Sequence, residues 1–298
     1  MNELTVGFVG LGNMGWPMAA NLHAAGFSLV VRDADAARGA SFAAAHPGAL
    51  AAGSPDAFAV ADIVVTMLPN GSIVQDALFG WGIAVALGNG ALVVEMSSSD
   101  PSDTLRLAAG LAPDGVRVVD APVSGGVPRA RTGELSLMVG GDDADVARAQ
   151  PVLRVLGDQA RQFRTGGLGT GHAMKALNNV IGAATYCVTA EALVIGQRFG
   201  LDPQTMIAII NASTGRSFVS ATVFADEVLP GRYGSGFALG LMAKDVHIAR
   251  SVAAAAETDA PMLALADDRW AKALGQLGPA ADQSMAHQAW WADQLGEQ

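Results

Sequence analysis

The sequence predicts an α/β protein in which an N-terminal, doubly wound parallel sheet is followed by an all-helical C-terminal domain. Three observations predict it. Short β-rich runs alternate with helical segments between residues 4 and 156, the pattern of repeated βαβ units. A G-x-G-x-x-G run stands between the first strand pattern and the first helix pattern. Beyond Gly171 the strand signals stop and only helical periodicity continues. At 298 residues the chain is long for one hydrophobic core, so two domains are expected, over 1–164 and 165–298.

The elements follow in order. Residues 4–9 form a short apolar run that reads as a buried strand. Gly10-Leu11-Gly12-Asn13-Met14-Gly15 follows, and a helix opens at Trp16. The glycines have separate tasks. Gly10 permits the tight turn, Gly12 lets a pyrophosphate approach the backbone, and Gly15 lets helix and strand pack closely. Residues 28–33 read as the second strand, ending on Asp33. A carboxylate there accepts both ribose hydroxyls of an adenosine and repels a 2′-phosphate, which predicts NAD rather than NADP. Arg32 adjoins it, but neighbours on a strand face opposite ways. Strands are then expected at 62–69, 91–96, 117–120 and 135–139, with helices at 71–79, 101–111 and 143–156. In such sheets ligands bind at the carboxyl ends of strands. Turn-forming clusters fall there: Leu68-Pro69-Asn70-Gly71, Ser97-Ser98-Ser99-Asp100 and Ser124-Gly125-Gly126. The last pairs a hydroxyl with bare backbone N–H groups suited to a carboxylate. Helices are expected at 173–199, 202–211, 214–228, 239–258 and 261–274, with a last one at 283–295.

Composition narrows the function. Half the residues are apolar and 15% are charged, as in a well-buried globular protein. The net charge of −10, without a basic run, argues against nucleic-acid and anionic-membrane partners. The single cysteine, Cys187, is expected to be a buried inert thiol. No secretory leader or membrane span is expected, and the uncharged stretch at 176–190 is short for a bilayer. The expectation is therefore a cytoplasmic protein. The histidines (His23, His46, His172, His247 and His287) do not cluster at ligand spacing, so no metal is expected.

The stretch from Gly169 to Asn179 carries the chemistry. Lys175 stands near the start of a long apolar helix, with Asn178 and Asn179 one turn on. A lysine is costly to bury, so this group reads either as a polar pocket or as a surface lysine with two amides that cap or bridge helices. Burial near a cationic nicotinamide favours the neutral amine, which is what a general base requires. His172, three residues before Lys175, reads either as a residue touching the site or, by preference, as an ordinary polar residue of the helix's first turn. Lys244-Asp245 interrupts a later apolar helix. It reads either as a surface pair or as a lysine that reaches the cofactor or substrate.

Four ordered segments resemble the β-hydroxyacid dehydrogenases, the group that contains 3-hydroxyisobutyrate dehydrogenase. They are GFVGLGNMGWPMAANL (7–22), DAPVSGGVPRARTGELSLMVGG (120–141), GTGHAMKALNN (169–179) and GFALGLMAKDVHIA (236–249). The resemblance spans the whole chain. It implies a Rossmann-like domain, an all-helical domain, Lys175 as the catalytic residue, and Ser124, Gly125, Gly126 and Asn179 against a small carboxylate substrate. It also implies Leu68, Pro69, Ser97 and Lys244 as cofactor-proximal residues and Asp33 as the acidic residue of NAD-using members. The next residue, Ala34, stands where NADP-using members often carry arginine. Two segments depart from the family pattern. Phe218 stands where tryptophan is expected, and the loop Val127-Pro128-Arg129-Ala130-Arg131 is unusually basic. The alternatives on the same plan are an imine reductase, against which Lys175 argues, and a non-catalytic NAD-binding sensor, which needs neither Lys175 nor the Ser-Gly-Gly loop. A 6-phosphogluconate dehydrogenase would need a longer chain and more basic residues. Small residues along the long helix (Gly182, Ala183, Ala184 and Ala190) allow close helix contact, and a homodimer or homotetramer is expected.

Overall fold

The computed structural model describes residues 4–295. The chain divides into two compact units, Met1–Lys175 and Ala176–Gln298.

The first unit is built on one sheet. Its strands are β1 (Thr5–Val9), β2 (Ser28–Arg32), β3 (Leu50–Ala51), β4 (Ile63–Thr66), β5 (Leu92–Glu95), β6 (Arg117–Asp120), β7 (Val123–Ser124), β8 (Leu135–Gly140) and β9 (Gly157–Gly166). The spatial order β3-β2-β1-β4-β5-β6 is parallel throughout. β8 then joins β6 antiparallel and carries β7 on one side, and β9 runs parallel to β8. Helices α1 (Gly15–Ala24), α2 (Ala36–Ala45), α3 (Gly71–Gln75), α4 (Ile83–Ala86), α5 (Pro101–Leu111), α6 (Gly126–Thr132) and α7 (Asp143–Leu156) connect them. Both faces of the sheet are covered. Ile63, Val65, Leu92 and Val94 pack on one side with Met18, Leu22 and Phe42. Val64 and Val93 pack on the other with Phe58, Leu107 and Leu111. Burial on both faces explains why the strands read as continuous apolar runs rather than alternating ones.

Chain order reverses between β1 and β4, and this switch point sets the ligand end of the sheet. Gly10 sits there at φ +99, where a Cβ would stand 2.3 Å from Met67 O. A Cβ on Gly15 would stand 1.8 Å from Gly10 O. These glycines are required by the closeness of β1, β4 and α1.

Several elements differ from expectation for local reasons. β4 stops at Thr66 because the Leu68 N–H goes to the Ser97 hydroxyl, 2.9 Å away, and Pro69 has no N–H. The helix expected at 71–79 is α-helical only to Gln75. It then widens, and Trp81 N–H bonds Asp76 O, five residues back. α2, β3, β7 and β9 carry no clear signal of their own. β9 is mostly polar and Phe163 on it is exposed, so its register comes from β8 and not from an apolar pattern.

The second unit is all helical. α8 (Thr170–Phe199) begins in the first unit and runs on into it. α9 (Pro203–Ala212), a wide helical segment Val219–Val228, α10 (Leu239–Ala255), α11 (Pro261–Leu277) and α12 (Ala286–Leu295) follow. The helix expected from Thr214 starts later. Residues 213–217 form a turn held by Ser220, whose hydroxyl donates to Asn211 Oδ1 at 2.7 Å and accepts from Ser217 N–H at 2.9 Å. The core centres on fully buried Trp270, which meets Trp290 edge-on at 5.7 Å and donates to Ala183 O at 3.3 Å. Ala183 and Ala190 lie in this core, so part of the small-residue face of α8 is used within the chain. Burial pushes the Cys187 thiol up to about 12, which suppresses the reactive thiolate. By length and composition alone, α8 is long and apolar enough to cross a bilayer. The expectation of too short an apolar run considered only its uncharged part.

Candidate active site

The nucleotide end of the first unit is assembled from the switch point outward. The turn Gly10–Gly15 leads from β1 into α1. No atom lies within 4 Å of where a Cβ on Gly12 would stand, so the backbone there faces open space. Leu68 covers Gly10, its Cδ2 2.8 Å from that residue's Cβ position. Ser97 is fully buried, and its hydroxyl accepts from Leu68 N–H. Thus the predicted residues Gly10, Leu68 and Ser97 come together, with Pro69 exposed beside them. Asp33 lies at the end of β2, where its Oδ2 accepts from Leu11 N–H at 2.7 Å and its Oδ1 from Asp35 N–H at 2.9 Å. Arg38 lies 3.3 Å from Asp33 Oδ1. Arg32 turns away and stacks over Trp81, 5.1 Å from the ring centroid. An open glycine turn with a carboxylate held at the neighbouring strand end fits a dinucleotide: backbone N–H groups for the pyrophosphate, Asp33 for the ribose.

Lys175 is placed by a buried polar cluster. Asp120, at the end of β6, is fully buried and accepts from Gly169 N–H at 2.8 Å and His172 N–H at 2.9 Å. A remote side chain thereby caps the start of α8. The approach is close: a Cβ on Gly171 would stand 2.3 Å from Met138 O. His172 is buried as well. Its Nε2 lies 2.7 Å from Glu95 Oε2 at the end of β5, and its Nδ1 lies 2.7 Å from Thr104 Oγ1 on α5. The Nε2 side faces two acceptors, Glu95 Oε2 and Ser97 O at 3.1 Å, so that nitrogen carries a proton. Burial disfavours both charges. The charge and hydrogen bond of His172, with the bonds from Ser97, outweigh it for Glu95 and lower that carboxyl to about 2. Burial likewise opposes protonation of His172, but Glu95 and Asp120 prevail and raise it. The expectation of an ordinary first-turn histidine is therefore wrong: His172 is half of a buried ion pair. Lys175 follows one turn later on α8 and is only 9% exposed.

Within the helical unit, Asn179 donates to Asp245 Oδ2 at 2.5 Å, and Lys244 Nζ lies 2.9 Å from Asp245 Oδ1. Asp245 is only 2% exposed, so it is not half of a surface pair. It orients the Asn179 amide, whose Oδ1 accepts from Asn178 at 3.1 Å. Back in the first unit, Ser124 ends β7, and Gly125 and Gly126 follow at φ +132 and +64.

Comparison with known proteins shows the family and the fold. Residues 5–167 match the model of the NAD-binding domain of 6-phosphogluconate dehydrogenase. Residues 169–290 match that of the NAD-binding domain of NADP-dependent 3-hydroxyisobutyrate dehydrogenase. The 2-(hydroxymethyl)glutarate dehydrogenase of Eubacterium barkeri is 38% identical over 266 residues, covering 89% of this chain and 87% of the relative. The chain belongs to the β-hydroxyacid dehydrogenase family. It is thus an NAD(P)-binding oxidoreductase of hydroxy acids, acting on CH–OH. The solved Mycobacterium tuberculosis 3-hydroxyisobutyrate dehydrogenase with L-serine superposes with a TM-score of 0.85 at 33% identity, over 96% of this chain and 99% of that one. A Myxococcus stipitatus imine reductase variant with NAD+ shares the fold alone, with a TM-score of 0.64 at 18% identity, over 97% and 99%.

Glu95, Asp120, His172 and Asp245 were not singled out as site residues from sequence. The available signal was an acid or a lone histidine at strand ends and in a glycine-rich joint, and it becomes readable only once β5, β6 and α8 are adjacent. The pair makes a sharp prediction. His172→Ala leaves the Glu95 carboxylate buried without its cation, and stability measured by urea unfolding at pH 7 should fall by about 3–5 kcal/mol. Without His172, burial of Glu95 is opposed only by the hydrogen bonds from Ser97 and Thr66, so its pKa rises from the wild-type value, acid lets the variant neutralise Glu95, and its deficit should shrink as pH falls. In the wild type the sign is opposite. The Glu95 contribution is complete above the unfolded value near 4.5 and is lost as pH falls toward 2. Adding Glu95→Gln to His172→Ala should recover part of the loss. No recovery would remove the ion pair as the cause.

Proposed function

We propose that the protein oxidises short β-hydroxy acids with NAD. Lys175 takes the hydroxyl proton, the Ser124-Gly125-Gly126 loop holds the carboxylate, and Asn179 orients the substrate. The observation that carries this reading is a buried lysine one turn beyond a helix start anchored at the carboxyl ends of β5 and β6, where ligands of such sheets bind. Bound NAD supplies the hydride acceptor. Gly10, Leu11, Gly12, Asn13, Met14 and Gly15 offer backbone to its phosphates, Leu68, Pro69 and Ser97 line the adjoining strand ends, and Lys244 stands with Asp245 and Asn179. As the carbinol C–H leaves as hydride, the O–H proton passes to the Lys175 amine and the C–O bond becomes a carbonyl. In reduction the Lys175 ammonium returns that proton to the forming alkoxide. Asp245 holds the Asn179 amide and so fixes which of its atoms faces the reacting group. The substrates named for relatives, 3-hydroxyisobutyrate and 2-(hydroxymethyl)glutarate, both carry a hydroxymethyl group and a carboxylate on one carbon. That shared unit supports a short β-hydroxy acid as the substrate.

A second cofactor reading rests on Arg38. It pairs with Asp33 yet is half exposed, so it is available to a 2′-phosphate if Asp33 is removed. A homodimer is supported by Ile181, Val188 and Ile195, seven residues apart on α8 and 65%, 59% and 68% exposed. That spacing forms one apolar seam, which two copies can bury against each other.

Three outcomes are expected. Lys175→Ala should fold, bind NADH as judged by nicotinamide fluorescence, and lose about 10²–10⁴-fold in kcat on short β-hydroxy acids; near-normal turnover would end its role as acid and base. Asp33→Ser should shift the ratio of kcat/KM for NAD over NADP toward NADP by at least about tenfold, and an unchanged ratio would refute the ribose contact. Light scattering at micromolar concentration should give a dimer or tetramer, reduced to monomer by Ile181→Glu with Val188→Glu. A monomeric wild type would refute the seam.

A further inference from the structure

We infer that Arg129 sets the substrate class: it holds a second carboxylate on the tail of the β-hydroxy acid, so the preferred substrate is a dicarboxylate. This rests on the dehydrogenase reading above. Arg129 lies on α6, one turn after Gly125. Helical side chains lean toward the helix N-terminus, so Arg129 leans back over the Ser124-Gly125-Gly126 loop. The distances bear this out. A Cβ on Gly125 would stand 2.6 Å from Arg129 Cδ, 2.9 Å from its Cβ and 3.1 Å from its Cγ. The arginine stem therefore occupies the space above the Gly125 backbone, and the bare glycine is what lets it lie there. Beyond Cδ only Nε and the guanidinium remain, so the charge stays within a short carbon chain of the loop assigned to the first carboxylate.

Among the described residues, no carboxylate pairs with Arg129. Arg117 pairs with Asp142 and Asp145, and Arg164 with Asp143. Arg129 is exposed and retains its fork of donors for a planar bidentate anion. The setting makes it consequential. The chain carries a net charge of −10, which repels a dianion more than a monoanion, so a local cation decides whether the second carboxylate is accepted. Arg131 is the internal comparison. It is also exposed, but two residues on it points to another side of α6.

The test uses two substrates with the same reacting centre. 3-Hydroxyisobutyrate carries a methyl group where 2-(hydroxymethyl)glutarate carries a two-carbon chain ending in a carboxylate. With NAD, wild-type kcat/KM should favour 2-(hydroxymethyl)glutarate by about tenfold or more. Arg129→Gln should reduce kcat/KM for that substrate by about 10- to 100-fold, the range for a lost charged hydrogen bond. It should change kcat/KM for 3-hydroxyisobutyrate less than about threefold, Arg129→Lys should recover part of the loss, and Arg131→Gln should leave the ratio unchanged. Raising salt should erode the wild-type preference. A parallel binding measurement separates this inference from the reaction itself. Glutarate should quench or shift the fluorescence of the NADH complex at lower concentration than butyrate, and Arg129→Gln should abolish the difference. Absent turnover with an Arg129-dependent glutarate preference would overturn the proposed short β-hydroxy acid reaction and keep the assignment of Arg129. Turnover without dicarboxylate preference, equal losses on both substrates, or the same loss in Arg131→Gln would overturn the assignment.

Discussion

The start of α8 depends on a buried charge arrangement that is costly unless complete. Glu95 and Asp120 end adjacent parallel strands, and both carboxylates are out of water. They are tolerated because α8 begins against them. His172 supplies the cation for one, and backbone N–H groups of Gly169 and His172 supply donors for the other. Each element therefore needs the others. The strands need a donor set, the helix start needs acceptors, and Lys175 takes its position one turn along from this agreement. A fluctuation that freed α8 would expose two carboxylates to an apolar surrounding, so the restraint on Lys175 is stiff for electrostatic reasons.

The same logic of close approach runs through the glycines. Gly10 and Gly15 let a strand end, a helix start and a neighbouring strand share one corner, leaving the turn over Gly12 open. Gly171 lets α8 touch the backbone of β8. Gly125 lets an arginine stem lie across its own backbone. In each case the missing Cβ lets two parts of the chain approach more closely than any side chain would allow.

Charge acts here at two ranges. The whole chain is acidic, which favours solubility and disfavours polyanions. Locally the balance differs, with the Arg129 stem lying against Gly125 and no carboxylate paired with Arg129 among the described residues. Over a few ångströms a fixed cation outweighs a diffuse, screened negative field. Selectivity among small anions can thus reside in one side chain without altering the reaction chemistry.

Much was legible from the residues in order. The G-x-G-x-x-G turn, the acid at the end of β2, the alternation of strands and helices and the lysine in a glycine-rich helix start are local signals. Each follows from steric freedom, periodicity or the cost of burying a charge, and together they determined the fold class and the family. β9 was not legible because its residues are polar and its register belongs to β8. The role of His172 was not legible because its partners are Glu95 and Thr104, distant in sequence. Asp245 read only as the neighbour of Lys244, in a surface pair or beside a lysine reaching the cofactor or substrate, until α10 placed it beside Asn179. A sequence displays residue types and their spacing along one chain. The tertiary structure alone decided which charges share a desolvated site, because that depends on which strand ends and helix starts the sheet order makes neighbours.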